Sequence, residues 1–520
     1  MALQDQVASS VFIAIWVLTA ALASISLLVL YRLFLHPLAG VPGPKLAAAS
    51  AAYELYYDCI LGGKFHFKLE ELHKQYGPIV RINPWEVHCN DPAYWDVLYS
   101  NSSKLDKDPW YYGGFVSSDP RATVATPSHD LHRIRRGAMS NYFSSANVRK
   151  LEPVVLSRVQ KLCDRLEEHR KTGAPVNLSN AFRCLATDVV THFSFPKPRS
   201  MLDTPDFSKD FTRLLRDFSA LLSWQRHLKV VFPVLMSIPD AVLLRMDSTG
   251  GQRQMIEYQR SFIDHSDMAV QRQGQPLDGS APSILDAIAS APQLSERDKL
   301  PHRIAEEAQL TVGAGTETTG ATLALFVYHL ASNPPVSARL KAELAEAAST
   351  STSTSLLDIK TLEKLPYLSA CINESLRLAS PVSGRLPRVN PRASMTYTDP
   401  RSGKSYVFPR GTVLSMSMRD LHYNHNIFPS PSTFDPDRWL NANAEEERRM
   451  QQAFVPFSKG SRNCIGQELA KQELALTAGN LLHRFDFQLH ETTERDVALA
   501  HDFFAPYAMM GSEGVRVTVR

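Results

Sequence analysis

The sequence predicts a mainly α protein with a minor β part, preceded by one N-terminal transmembrane helix. Three observations predict it. Residues 11–30, VFIAIWVLTAALASISLLVL, contain no charged side chain. From Asp130 onward apolar residues recur mostly at helical spacing. Short β-forming stretches broken by proline are concentrated at residues 78–87 and 386–413.

An apolar helix of about 20 residues matches the hydrocarbon thickness of a bilayer. A cleaved signal peptide needs a basic start, a shorter apolar stretch and a small-residue cleavage site. Here the only charge before the run is Asp5, and the first basic residues, Arg32 and Lys45, follow it. Residues 1–32 therefore read as an uncleaved membrane anchor, with the bulk of the protein on the cytosolic side. Residues 33–50 carry His36-Pro37 and Val41-Pro42-Gly43-Pro44 and read as a stiff, extended hinge. Residues 51–520 read as one domain: the chain has 520 residues, 44% of them hydrophobic, and no strong break divides it.

A net charge of +3, with no long basic run, gives no case for a nucleic-acid partner. Cys59, Cys89, Cys163, Cys184, Cys371 and Cys464 show no framework-like spacing and read as reduced. All but Cys464 read as ordinary buried cysteines.

Residues 302–332 read as one helix about 45 Å long. Ile304, Ala308 and Val312, then Ala321, Leu325 and Tyr328, carry its apolar spacing, and Asn333-Pro334-Pro335 stops it. A second helix is expected over residues 362–379, with Leu365, Leu368, Ile372 and Leu376 on one face. Residues 271–283 and the serine–threonine run 349–355 read as surface loops.

The chemistry gathers at Phe457-Ser458-Lys459-Gly460-Ser461-Arg462-Asn463-Cys464-Ile465-Gly466. Cys464 follows a turn and precedes a helical run, residues 467–476. A thiol at a helix N-terminus near Arg462 has its anion stabilised. Gly460 permits a tight turn, Gly466 lets a flat ligand approach the backbone, and Phe457 shields the sulfur. No Cys-x-x-Cys or His-Glu-x-x-His accompanies it, and the pairs His129/His132 and His422/His425 lack partner ligands.

The run Phe-x-x-Gly-x-Arg-x-Cys-x-Gly resembles the haem-binding signature of the cytochromes P-450, the haem-thiolate monooxygenases, at every fixed position. The resemblance implies the cytochrome P-450 fold, haem b as cofactor and Cys464 as axial ligand of its iron. Three companion motifs follow the same family. Within Ala314-Gly315-Thr316-Glu317-Thr318-Thr319, it implies that Glu317 and Thr318 deliver protons on the distal side. Glu374-Ser375-Leu376-Arg377 and Phe434-Asp435-Pro436-Asp437-Arg438-Trp439 supply a buried network of Glu374, Arg377 and Arg438 behind the thiolate. Arg462, Arg385, Arg136 and His132 are expected at the haem propionates, His132 standing where many relatives have tryptophan. Arg133 and Arg135 are expected to face solvent or an acidic electron donor, and Lys459 to join them. By family position, Phe115, Val312 and Val382 line the substrate pocket.

Ser383-Gly384-Arg385-Leu386-Pro387-Arg388-Val389 and Met416-Ser417-Met418 are similar to the fungal secondary-metabolism enzymes of the trichodiene-oxygenase-like group. The resemblance implies oxidation of an apolar intermediate with dioxygen, using NADPH electrons from NADPH–cytochrome P-450 reductase at the endoplasmic reticulum membrane. A terpenoid is the first expected substrate and a polyketide-derived scaffold the second. A haem-thiolate isomerase or dehydratase needs no reductase, and a haem sensor needs no proton relay; Glu317 and Thr318 weigh against both.

Overall fold

A computed structural model describes residues 2–115, 121–195, 198–229, 231, 234, 237–246, 251–277, 282–350 and 356–520. The N-terminal run forms a helix, Ala2–Leu30, that continues through a wider turn, Tyr31–Leu35. Its span Ser9–Leu35 is long and apolar enough to cross a membrane and is not buried in the body. The segment after it is not simply extended, as expected of the hinge. It contains a short helix, Lys45–Ala49, and it is docked. Leu38 is only 2% exposed. Arg32 Nη1 donates to Ala49 O at 2.7 Å, and Arg81 Nη1 donates to Arg32 O at 2.8 Å. The apolar helix thus leaves the body from a fixed base.

The long helix, Pro301–Ser332, crosses the domain. Ile304, Ala308, Val312, Leu323, Phe326 and Leu330 are all buried along it, so its core face is set by the 3.6-residue period. It packs against helices Leu178–Ser194, Gly251–Gln271, Pro366–Ala379 and Gln467–Arg484. Asn333 ends it as expected, but Pro334 opens the next helix at once, Pro334–Thr350. Proline fits a first helical turn because its missing N–H is not needed there. The helix expected over residues 362–379 is two, Ile359–Leu362 and Pro366–Ala379. Pro366 forces Leu365 into extended backbone and breaks the run. Between Gln271 and Ile284 the chain is non-helical apart from one further turn, with residues 278–281 outside the described residues. Of the serine–threonine run, residues 349–350 finish a helix and 351–355 lie outside the described residues.

The β part is β1 (Ile79–Arg81), β2 (Glu86–Cys89), β3 (Asp106–Lys107), β4 (Val176–Asn177), β5 (Arg388–Val389), β6 (Met395–Thr398), β7 (Ser405–Phe408), β8 (Val413–Ser415), β9 (Phe487–Leu489), β10 (His501–Phe503), β11 (Ala505–Tyr507) and β12 (Arg516–Val519). In the first β-forming stretch β1 and β2 pair as a hairpin, Ile79 facing Cys89, which extends into a five-stranded sheet in the order β1-β2-β8-β5-β3. Its far edge pairs β3 with β5 antiparallel, which sets Lys107 directly opposite Arg388. One core surrounds the long helix and a second lies against this sheet.

Candidate functional site

The cysteine loop is closed by its own backbone. Cys464 N donates to Phe457 O at 2.9 Å and Asn463 N to Gly460 O at 3.1 Å. Gly460 has φ +75°, and a Cβ there would lie 2.3 Å from Tyr99 O, so no other residue fits the turn. At Gly466 a Cβ would stand 4.0 Å from Cys464 Sγ. The helix that follows runs Gln467–Arg484, eight residues beyond the expected end at Leu476. All six cysteines are free, and only Cys464 is exposed. That exposure is an interior one: dense surrounding protein desolvates the thiol and raises its pKa, while the Gly466 N–H and Arg136 pull it down.

Helix His129–Ser140 places His132 and Arg136 one turn apart on one face. Arg136 donates to Asn463 O at 2.7 Å and Oδ1 at 2.9 Å, which ties this helix to the cysteine loop. Arg462 donates to Thr126 O at 2.8 Å and Pro127 O at 2.6 Å. Two cations that the motifs did not single out join them. Lys107 donates to Val124 O at 2.7 Å and sits 4.2 Å over the Tyr112 ring. Arg388 donates to Tyr112 Oη at 3.2 Å. Burial and then Arg388, Arg462 and Arg136 press Lys107 well below its usual pKa. Burial lowers Arg462 to about 10, with Arg388 adding to it. The same cations, after burial, keep His132 neutral. Among the described residues none of these five side chains makes an ion pair with a carboxylate. Like charges directly opposite across a strand pair are destabilising, so Lys107 facing Arg388 calls for an anion between them.

Arg385 is elsewhere. Its guanidinium pairs with Glu86 at 2.6 Å and Glu54 at 2.7 Å. Its charge is already balanced, and Arg388, three residues on, occupies the cation cluster instead. Arg135 is also corrected: it is buried and paired with Asp298 at 2.6 Å, while Arg133 is exposed as expected. Lys459 pairs with Asp96 at the surface, at 3.1 Å.

Behind the loop, Glu374 and Arg377 are fully buried and paired at 2.7 Å. Glu374 also accepts from Arg438 Nε at 3.1 Å, Trp439 Nε1 at 3.0 Å and Asp435 N at 3.0 Å. Arg377 donates to His422 O at 2.8 Å, and His422 Nε2 accepts from Val455 N at 3.0 Å, two residues before Phe457. Burial, then Arg377, lowers His422 to about 3. The neutral ring is what lets Nε2 accept. The network therefore reaches the cysteine loop through a histidine that the motifs did not mark.

On the long helix, Val312 and Thr316 are buried, yet Ala314 between them is exposed and Thr318 partly so. Exposure in the middle of a core helix marks an internal concavity. Thr318 Oγ1 donates to Ala314 O at 2.8 Å. Glu317 points the other way, where Arg183 Nε donates to both its oxygens at 3.1 Å. Thr187 and Thr316 hydroxyls, 2.8 Å apart, pin the two helices there. Arg183 lies 134 positions from Glu317 in the chain, and no sequence signal links them. Of the expected pocket residues, Phe115 lines a cavity, Val382 packs against the sheet core, and Val312 is fully buried in the main core.

Residues 54–506 match the cytochrome P-450 family. The chain belongs to it. Relatives include the cytochrome P-450 monooxygenase MO6277 of Ascocoryne sarcoides, 39% identical over 94% of this chain and 95% of that protein. The tryptophan 6-hydroxylase of Fusarium equiseti is 34% identical over 95% and 94%. The conidiogenone synthase of Penicillium rubens is 33% identical over 95% and 96%. This chain is a cytochrome P-450 monooxygenase of the fungal secondary-metabolism kind, and the family implies a haem-thiolate iron. The residues fit that group: one interior-facing thiol, two buried and two half-buried cations without carboxylate partners among the described residues, for two propionates, and a concavity beside the long helix.

Proposed function

We propose that Cys464 holds the iron of haem b and that Arg136, Arg462, Arg388, Lys107 and His132 hold its propionates, His132 as a neutral hydrogen-bond donor. The observation that carries this is the cluster of buried and half-buried cations lacking counter-charges among the described residues, beside a lone interior thiol. Bound there, the haem activates dioxygen and oxidises a C–H bond of the substrate. The chain's own residues supply the rest. The Gly466 N–H and Arg136 stabilise the thiolate at Cys464 Sγ. Thr318 offers its hydroxyl to the concavity, and Glu317, released from Arg183, passes it a proton. Glu374, Arg377, Arg438 and His422 keep the loop's position.

The residue limits of 1–32 for the anchor, 33–50 for the hinge and 51–520 for the catalytic domain belong to this reading. The apolar helix supports a single-pass placement in the endoplasmic reticulum membrane, with the catalytic domain cytosolic and NADPH–cytochrome P-450 reductase as donor. The substrate is an apolar intermediate that partitions into lipid. A terpenoid is the first reading and a polyketide-derived scaffold the second. Relatives named tryptophan 6-hydroxylase and N-acetyltryptophan 6-hydroxylase favour testing indoles beside them. The test is oxidation by the membrane-bound protein with NADPH, with and without reductase, followed by metabolite profiling of a host carrying the gene. Reductase-dependent product is expected. Turnover on NADPH alone, or a reduced protein whose Soret band does not shift far to the red with carbon monoxide, refutes the reading.

A further inference from the structure

Glu54 and Asp58 are four residues apart where a short helix, Ala52–Leu55, runs into a wider turn, Tyr56–Ile60. That spacing puts both carboxylates on one face. Both are buried, Glu54 at 0% and Asp58 at 6% exposed. The last residue of helix Lys209–His227 closes on the same face. His227 Nε2 stands 3.8 Å from Asp58 Oδ2 and 4.0 Å from Glu54 Oε1, on a side chain 2% exposed. The three ligand atoms all lie within 4.8 Å of one another. Nε2 has no hydrogen-bond partner among the described residues. It is too far from either oxygen to donate, since such bonds reach about 3.2 Å. Trp110 holds the ring edge to face, with centroids 5.1 Å apart. A buried imidazole nitrogen aimed between two carboxylates, touching neither, is placed as a ligand and not as a donor.

The surrounding charges point the same way. Arg226 is paired with Asp58 at 2.6 Å, and Arg385 with Glu54 at 2.7 Å and Glu86 at 2.6 Å. Three carboxylates thus share two guanidiniums, and a buried charge left unbalanced is costly. Asp502 lines the cavity beside Asp58 and has no ion pair among the described residues. Burial raises its carboxyl pKa, with Asp58 adding to the rise. The place is short of positive charge. Carboxylate oxygens have lone-pair sites to spare, so Asp58 Oδ2 and Glu54 Oε1 accept from arginine and still coordinate. Asn83 Nδ2 donates to the other Glu54 oxygen at 3.1 Å and orients it, as outer hydrogen bonds orient metal ligands. The cavity lined by Asp58, Arg226 and Arg385 is about 20 Å³, space for about one water as a fourth ligand. One imidazole and two carboxylates suit zinc, which takes both at about 2.0–2.2 Å with four ligands. Calcium and magnesium take oxygen ligands instead. A tetrahedral zinc holds its ligand atoms about 3.4 Å apart, so His227 moves in by roughly half an ångström to receive it.

We propose that Glu54, Asp58 and His227 bind a zinc ion that staples the end of helix Lys209–His227 to the segment following the hinge. The proposal does not rest on the haem-thiolate reading. The test uses the untagged full-length holoenzyme, stripped with EDTA, freed of chelator and given zinc sulfate. One zinc per chain is expected by elemental mass spectrometry after gel filtration. Its X-ray absorption spectrum is expected to show one imidazole, oxygen ligands at about 2.0–2.2 Å and no sulfur. Zinc is expected to raise the melting temperature, because it binds the folded chain alone. His227→Ala and His227→Gln are expected to lose about 100-fold or more in zinc affinity, and with it the melting shift. Their reduced carbon monoxide spectrum stays that of the wild type. His490→Ala, at the surface, keeps the zinc. Absence of bound zinc in the wild type overturns the site, and so does equal retention by both His227 variants. Sulfur in the wild-type absorption spectrum, or a wild-type melting temperature that zinc does not move, overturns it without any variant. A protein that binds zinc as expected but gives no thiolate-ligated carbon monoxide band keeps this site and loses the haem-thiolate reading.

Discussion

Arg385 and Arg388 are three positions apart and have opposite fates. Arg385 is neutralised by Glu54 and Glu86, whereas Arg388 faces Lys107 across the sheet edge with no carboxylate partner among the described residues. Arg388→Gln and Lys107→Gln are each expected to speed haem transfer to apomyoglobin. A charge-assisted hydrogen bond is worth about 1.5–3 kcal/mol, so each loss is about 10- to 100-fold. Equal retention in both variants counts against the cluster as the propionate site. His422 gives a pH prediction. Its folded pKa, about 3, lies below the unfolded value of about 6.5. As pH falls through that window the unfolded chain takes up a proton that the folded ring refuses, so stability is lost with acid. The contribution is on the order of a few kcal/mol. Urea midpoints of wild type and His422→Gln are expected to converge between pH 7.5 and pH 5, because glutamine does not titrate; parallel pH slopes refute this.

At the scale of elements, the cysteine loop is shaped by its neighbours as much as by itself. Gly460→Ala places a methyl 2.3 Å from Tyr99 O in a left-handed turn. It is expected to yield protein that folds poorly and retains little haem, measured as the Soret-to-protein absorbance ratio. Glu374→Gln leaves Arg377 buried without a balancing charge, at a cost of about 3–5 kcal/mol, while Arg438 keeps Asp435 at 3.7 Å. The expected result is a lower urea midpoint and loss of the thiolate-ligated carbon monoxide band, because Arg377 and His422 connect this network to Val455. A variant with wild-type midpoint and spectrum contradicts the connection.

Across the whole molecule, the apolar N-terminal helix and the body meet at a built joint. Removing residues 1–30 is expected to release a folded, haem-retaining protein from membranes. Removing residues 1–44 takes away Leu38, a buried side chain worth about 1.5–3 kcal/mol, and the Arg32 carbonyl that Arg81 bonds. This shorter protein is expected to melt lower than the first; equal melting temperatures mean the joint is only a tether.

The sequence by itself determined the family, the apolar N-terminal helix, the long helix and the cysteine loop. Each of these rests on local chemistry: a charge-free run, a 3.6-residue period, and closely spaced glycine, arginine and cysteine. It also placed Glu374, Arg377 and Arg438, because fixed spacings and short motifs carry them. Only the tertiary structure decided which cations share a space. Lys107 meets Arg388 through strand register, Glu317 meets Arg183 through a helix crossing, and Arg385 meets Glu54 across 331 positions. Chain separation hides such pairs, since an isolated arginine reads the same whether a carboxylate awaits it or not. The split of residues 362–379 was legible in Pro366, whose effect on Leu365 outweighed the apolar period that ran across it.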